Sequence, residues 1–107
     1  MNTQKHTPGP WTIENCRNED GSKFLSINGQ GPWGSWLADI QAGNINGKPA
    51  DIGPLHLANA HLIAAAPELL EIVKAYRNLL RTMASTEGEL ATFAHIESVL
   101  AKAEGKA

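Results

Sequence analysis

From Pro67 onward, apolar side chains recur at three- and four-residue steps: Leu69, Leu70, Ile72, Val73, Tyr76, Leu79, Leu80 and Met83. That spacing predicts one apolar face of an α-helix, and Ala58–Ala66 before it is also a good helix former. Pro67 suits a first turn, where its missing N–H needs no partner, and Glu68 and Glu71 favour the positive end of the helix dipole. The two pieces are expected as one helical segment, bent or broken at Ala66–Pro67. Farther on, Leu90, Phe93, Ile96 and Leu100 give a second stripe up to about Lys102, with Thr86 and Glu89 spaced as a capping box. The short connection predicts an antiparallel hairpin, with Leu70, Val73, Tyr76 and Leu80 against Phe93, Ile96 and Leu100.

The N-terminal part changes period. Trp11-Thr12-Ile13-Glu14 alternates apolar and polar residues, as a half-buried strand does. Asn18-Glu19-Asp20-Gly21 predicts a hairpin turn. Lys23–Asn28 is the partner strand, with Leu25 and Ile27 facing one way and Phe24, Ser26 and Asn28 the other. Ser35–Gln41 predicts a third strand with Trp36, Ala38 and Ile40 on one face and Trp36 in the core. The fold class is therefore α+β: a three-stranded antiparallel meander over 11–41, packed on a C-terminal helical hairpin. One domain is expected, with an extended arm at 1–10, a connecting loop at 42–54, helices over 55–102 and a frayed tail at 103–107.

Composition narrows the function classes. The 107 residues carry a net charge of −2, with no global basic signature for nucleic-acid binding. The single Cys16 excludes an internal disulfide and a multi-cysteine metal site and suits a reducing cytosol. Residues 1–10 lack the apolar core of a signal peptide, and no apolar run is long enough to span a bilayer, so a soluble intracellular protein is expected. Eight large apolar side chains on one helix exceed what a short meander covers. A homo-oligomer, at least a dimer, follows.

Candidate chemistry is sparse. Arg77 and Arg81 stand i,i+4 on the polar side of the main helix, with Lys74 and Asn78 beside them. Such a row can clamp phosphates, because arginine presents a planar fork of donors. It can equally be a solvated face, with Glu71 and Lys74 as a weak i,i+3 pair. Asn59, inside an alanine-rich helix, is expected to hydrogen-bond to the meander or its loop, or to touch a ligand. Trp33, between Gly-Pro and Gly-Ser, is a candidate exposed indole that can stack on a base or anchor a partner protein. His6, His56, His61 and His95 lack the spacing of a metal set and read as surface or capping residues. Nothing resembles a nucleophile elbow, a Walker loop or a dinucleotide fingerprint. Neither catalysis nor a cofactor is expected.

Two stretches carry a resemblance: His6-Thr7-Pro8-Gly9-Pro10-Trp11, and Ala58 to Leu70, reading ANAHLIAAAPELL. In their order and spacing they resemble a group of small proteins encoded by phages and prophages. Leu37-Ala38-Asp39-Ile40 sits where such proteins often carry a short strand before a loop. The layout, a sheet followed by helices bearing arginines, also resembles the phage sponge proteins that sequester nucleotide signals of Thoeris-type immunity. The resemblance implies a phage accessory protein acting in the host cytoplasm. Two functions follow as expectations. One is anti-defence by sequestering a nucleotide-derived immune signal, with Arg77, Arg81, Lys74, Asn59 and Trp33 as the ligand-binding set. The other is a protein–protein inhibitor or adaptor that masks a host defence protein, as anti-CRISPR proteins do.

Overall fold

A computed structural model describes residues 6–30 and 36–106. Trp33, and with it one expected ligand contact, lies outside them. The fold is α+β: a three-stranded antiparallel sheet followed by three helices. The chain divides into two compact units, Met1–Pro67 and Glu68–Ala107.

In the first unit, β1 (Thr12–Arg17), β2 (Lys23–Asn28) and β3 (Trp36–Gln41) lie in the order β1-β2-β3. The β1–β2 turn is closed by main-chain bonds from Asn18 N–H to Ser22 O and from Gly21 N–H to Asn18 O. Asp20 accepts from both the N–H and the hydroxyl of Ser22, which holds its carboxyl below the ordinary value. Gly21 takes φ +90°, a conformation side chains rarely adopt.

Period 2 fixes the two faces. Ile13, Ile27 and Ala38 form one row of the inner face, with Leu25 and Ile40 beside them. Leu25, Ile27 and Ala60 are fully buried there, and Trp11, Ile52 and Ile63 pack around them. Burial of Leu25 and of Ile27 contributes about 1.5–3 kcal/mol each. Ala60 belongs to α1 (Pro54–Ala64), the helix that covers the sheet. The small side chain lets the helix axis approach the strands closely.

Trp36 departs from expectation. Ile27 faces Ala38, but the next β2 residue, Asn28, faces Trp36, so β3 spends two residues on one β2 step. This bulge at Leu37 reverses the side-chain phase beyond Ala38. Trp36 turns to the outer face and is 66% exposed instead of entering the core.

The expected loop over 42–54 is a correction as well. It contains a hairpin, β4 (Asn44–Ile45) paired with β5 (Lys48–Pro49). Asn46 and Gly47 both have positive φ, 53° and 77°, the signature of a two-residue type I′ turn.

The helical segment is broken, not merely bent. After α1, Ala65 caps the helix by donating its N–H to His61 O, and α2 (Ala66–Met83) starts at once. Pro67 cannot donate the N–H that a continuous helix would need at that position. In the second unit, α3 (Glu87–Ala103) begins at a Thr86–Glu89 capping box. Its C-terminus is ordered where fraying was expected: Gly105 N–H donates to Lys102 O and Lys106 N–H to Ala101 O, with Gly105 at φ 74°. That is a Schellman closure.

Leu80 and Leu100 are the buried leucines of this unit, with Leu70, Val73, Phe93 and Ile96 partly buried. Tyr76, expected in that core, is exposed, and Arg77 takes the inward position. The apolar face of α2 thus splits in two. Leu70, Val73 and Leu80 turn inward, while Leu69, Ile72, Tyr76, Leu79 and Met83 stay 43–65% exposed.

Candidate functional site

Two cations of the row on α2 lie beside carboxylates. Arg77 Nη1 lies 3.6 Å from Glu97 Oε1 on α3, and Arg77 Nε donates to Asn78 Oδ1 at 3.3 Å. Lys74 Nζ lies 3.2 Å from Glu104 Oε2, replacing the expected pair with Glu71. The Lys74 bond, chief among the causes, holds the Glu104 carboxyl below its ordinary value. Both cations thus join α2 to α3. Arg81 is exposed in the last turn of α2. Asn59 is exposed on α1, in the other unit, and makes no side-chain hydrogen bond among the described residues.

The histidines are dispersed. His56 Nδ1 accepts the Gly53 N–H and so caps α1. His6 packs edge-on against Trp11 with ring centroids 6.2 Å apart. Among the described residues, no three His, Cys, Asp or Glu side chains are grouped to hold a metal ion, and no helix is long and apolar enough to cross a membrane.

What the fold does assemble is the outer face of the sheet. Strand register sets it out in three rows: Thr12, Asn28 and Trp36; Glu14, Ser26 and Asp39; Cys16, Phe24 and Gln41. The indole N–H of Trp36 donates to Asp39 Oδ1, which fixes the ring over its own strand. Ser26 is buried between the two acidic side chains and donates to Asn28 Oδ1 at 3.1 Å. Cys16 registers the local field: partial burial first, then Glu14 and Asp39, push its thiol above the ordinary value. The thiol is therefore a poor nucleophile. The surface combines one large exposed aromatic with two carboxylates. Such a face repels phosphates and suits an apolar pocket with a basic rim.

Trp36 was the residue that sequence periodicity misplaced. The available signal was the adjacent pair Trp36-Leu37, two large apolar side chains where strict alternation allows one. A doubled apolar position in a strand is the mark of a bulge.

The two stretches that carry the phage resemblance are structural. The Trp11 indole N–H donates to Thr7 O at 3.0 Å, and Gln30 N–H donates to Pro8 O at 3.2 Å, so the arm is tied to the end of β2. Gly29 sits beneath it. A Cβ there would meet Thr7 Cγ2 at 2.6 Å, Leu37 Cδ1 at 3.1 Å and Trp11 Cδ1 at 3.2 Å. In the second stretch, Ala60 packs on the sheet and buried Pro67 sits in the first turn of α2. No curated protein and no solved structure matches the chain. The family of Salmonella phage P22 protein Y8K6 matches over residues 1–107, and the chain belongs to that family of phage proteins.

Proposed function

We propose that this phage protein is a non-catalytic accessory factor that works in the host cytoplasm by masking a host defence protein. The contact surface is the outer face of the sheet, with Trp36 as anchor and Glu14 and Asp39 as its charged rim. The observation that carries this reading is the bulge at Leu37. It turns a tryptophan out of a small core and onto a face where the Asp39 carboxylate orients it. An exposed, oriented indole costs apolar surface in the free protein, and buried tryptophans dominate the energetics of protein contacts. Orientation before binding also lowers the entropic cost of association.

Sequestration of a nucleotide-derived signal has less support. Its phosphate would need Arg77 and Arg81 together, and Arg77 is held by Glu97 on α3, as Lys74 beside it is held by Glu104 at the α3 C-cap.

The test is affinity capture from bacterial host lysate with the tagged parent, Trp36→Ala and the double variant Arg77→Ala/Arg81→Ala. One host protein held in stoichiometric amount by the parent and the double variant, and lost with Trp36→Ala, is the expected result. Equal capture by all three would overturn the assignment of the surface.

A further inference from the structure

We infer that Asn46, in the turn of the β4–β5 hairpin, is a site of spontaneous covalent modification, at which the side-chain amide is exchanged for a carboxylate and the peptide bond to Gly47 is partly rerouted through it. The sequence holds two Asn-Gly pairs, Asn28-Gly29 and Asn46-Gly47. Asparagine is among the thermally labile residue types, and a following glycine leaves its own backbone nitrogen unshielded by any Cβ. In the reaction the Gly47 nitrogen gives up its proton and attacks Asn46 Cγ. A bond forms between those two atoms, the Cγ–Nδ2 bond breaks, and Nδ2 leaves with that proton as ammonia. Water then opens the cyclic imide at one of its two carbonyls, which gives aspartate or isoaspartate. Solvent is the only co-reactant.

The fold places the two pairs in opposite surroundings. Asn28 ends β2 and is paired on both sides, with Thr12 on β1 and Trp36 on β3. Its Oδ1 accepts from the Ser26 hydroxyl at 3.1 Å. Gly29 is crowded by the N-terminal arm, with Thr7 Cγ2 2.6 Å from where its Cβ would stand, and the Gln30 N–H is bonded to Pro8 O. Backbone and side chain are thus both held away from ring closure. Asn46 has none of this. It is exposed, and a Cβ on Gly47 would meet nothing within 4 Å. Ring closure requires Asn46 to leave its left-handed conformation, φ 53°, and little opposes that. The strands on either side are two residues each, Asn44–Ile45 and Lys48–Pro49. Pro49, opposite Asn44, has no N–H to donate to the ladder. A two-stranded hairpin this short opens at small cost. The isoaspartyl product adds a backbone carbon to the turn and so removes the register that pairs Ile45 with Lys48.

The test ages the full chain at neutral pH and physiological temperature, once native and once in guanidinium chloride. Cleavage on the N-terminal side of aspartate then puts Asn28 in the fragment 20–38 and Asn46 in the fragment 39–50, and mass spectrometry reads the amide-to-acid shift in each. In denaturant both fragments are expected to convert at comparable rates. In the native chain 39–50 is expected to keep converting, with isoaspartate among its products, while 20–38 keeps its amide. Asn46→Gln is expected to abolish the shift in 39–50, because its longer side chain would have to close a larger ring. A native 39–50 that stays unconverted over the time that converts it in denaturant would overturn the inference, since the turn would then protect the amide. Equal conversion of the two fragments in the native chain would overturn it as well, and so would a shift in 39–50 that survives Asn46→Gln. The readout needs no partner protein, so it is independent of the masking function.

Discussion

Trp36 faces Asn28 across the sheet, one step beyond the Ile27–Ala38 pair, and the extra residue between Trp36 and Ala38 is what turns the indole outward. A register slip of one residue exchanges the two faces of a strand. Here the slip is confined to the start of β3, so Ala38 and Ile40 keep the core while Trp36 leaves it.

The consequence for stability is a contrast between neighbours. Trp36→Ala is expected to change unfolding free energy by under about 0.5 kcal/mol, as exposed positions do. Ile27→Ala, fully buried, is expected to cost about 2–5 kcal/mol. Urea denaturation of both variants checks this. A Trp36→Ala loss above about 2 kcal/mol would show the indole to be packed.

Gly29→Ala is expected to destabilise by about 1–3 kcal/mol, the usual range for overpacking. The new methyl would stand 2.6 Å from Thr7 Cγ2, and the arm must lift away to admit it. Faster proteolysis within residues 6–11 would accompany the loss. An unchanged melting temperature would show the arm to be loosely held.

In the second unit, Leu80→Ala and Leu100→Ala are each expected to cost about 2–5 kcal/mol, because both leucines are buried. Arg77→Ala should cost under about 1 kcal/mol, since its pair with Glu97 is partly exposed and screened. If Leu80→Ala proved neutral in denaturant titration, the phase assigned to α2 would be wrong.

The capping box at α3 gives a pH dependence with a defined sign. Glu89 Oε1 accepts from the Ser85 and Thr86 N–H groups, which holds its carboxyl below the ordinary value. A carboxylate with a depressed folded value stabilises fully above the unfolded value, about 4.3 for Glu. That contribution is lost as pH falls through the folded value. Glu89→Gln is expected to flatten the acid limb of the stability curve while keeping part of the cap. An acid limb identical to the parent's would rule out this carboxylate as its source. Thr86→Ala removes the reciprocal bond to Glu89 N–H and is expected to cost about 1 kcal/mol at all pH values.

Much of the fold was legible because local rules and packing agree there. Leu25 and Ile27 alternate with Ser26 in a strand paired on both sides, and the Thr86–Glu89 spacing names its own helix start. The Asn46-Gly47 hairpin was equally legible, since Asn-Gly is the strongest two-residue turn signal. It was passed over because the flanking strands are two residues each and show no periodicity. Trp36 was not legible by alternation, because a bulge is a non-local choice between two registers against β2. The ion pairing of Arg77 was not legible for a related reason. Spacing along one helix shows that Lys74, Arg77 and Arg81 lie near each other, but not that α3 supplies Glu97 and Glu104 to meet two of them. Likewise, the eight apolar residues of α2 form one broad arc in sequence, and only the position of α3 sets apart the stripe that it covers.

The most direct test of the masking account is the native mass of the protein purified from host lysate, read for what it retains. The parent is expected to carry a protein-sized adduct that is absent from Trp36→Ala and present in Arg77→Ala/Arg81→Ala. An adduct of a few hundred daltons that persists in Trp36→Ala and disappears in the arginine double variant would contradict the account, because it would identify a sequestered nucleotide as the ligand.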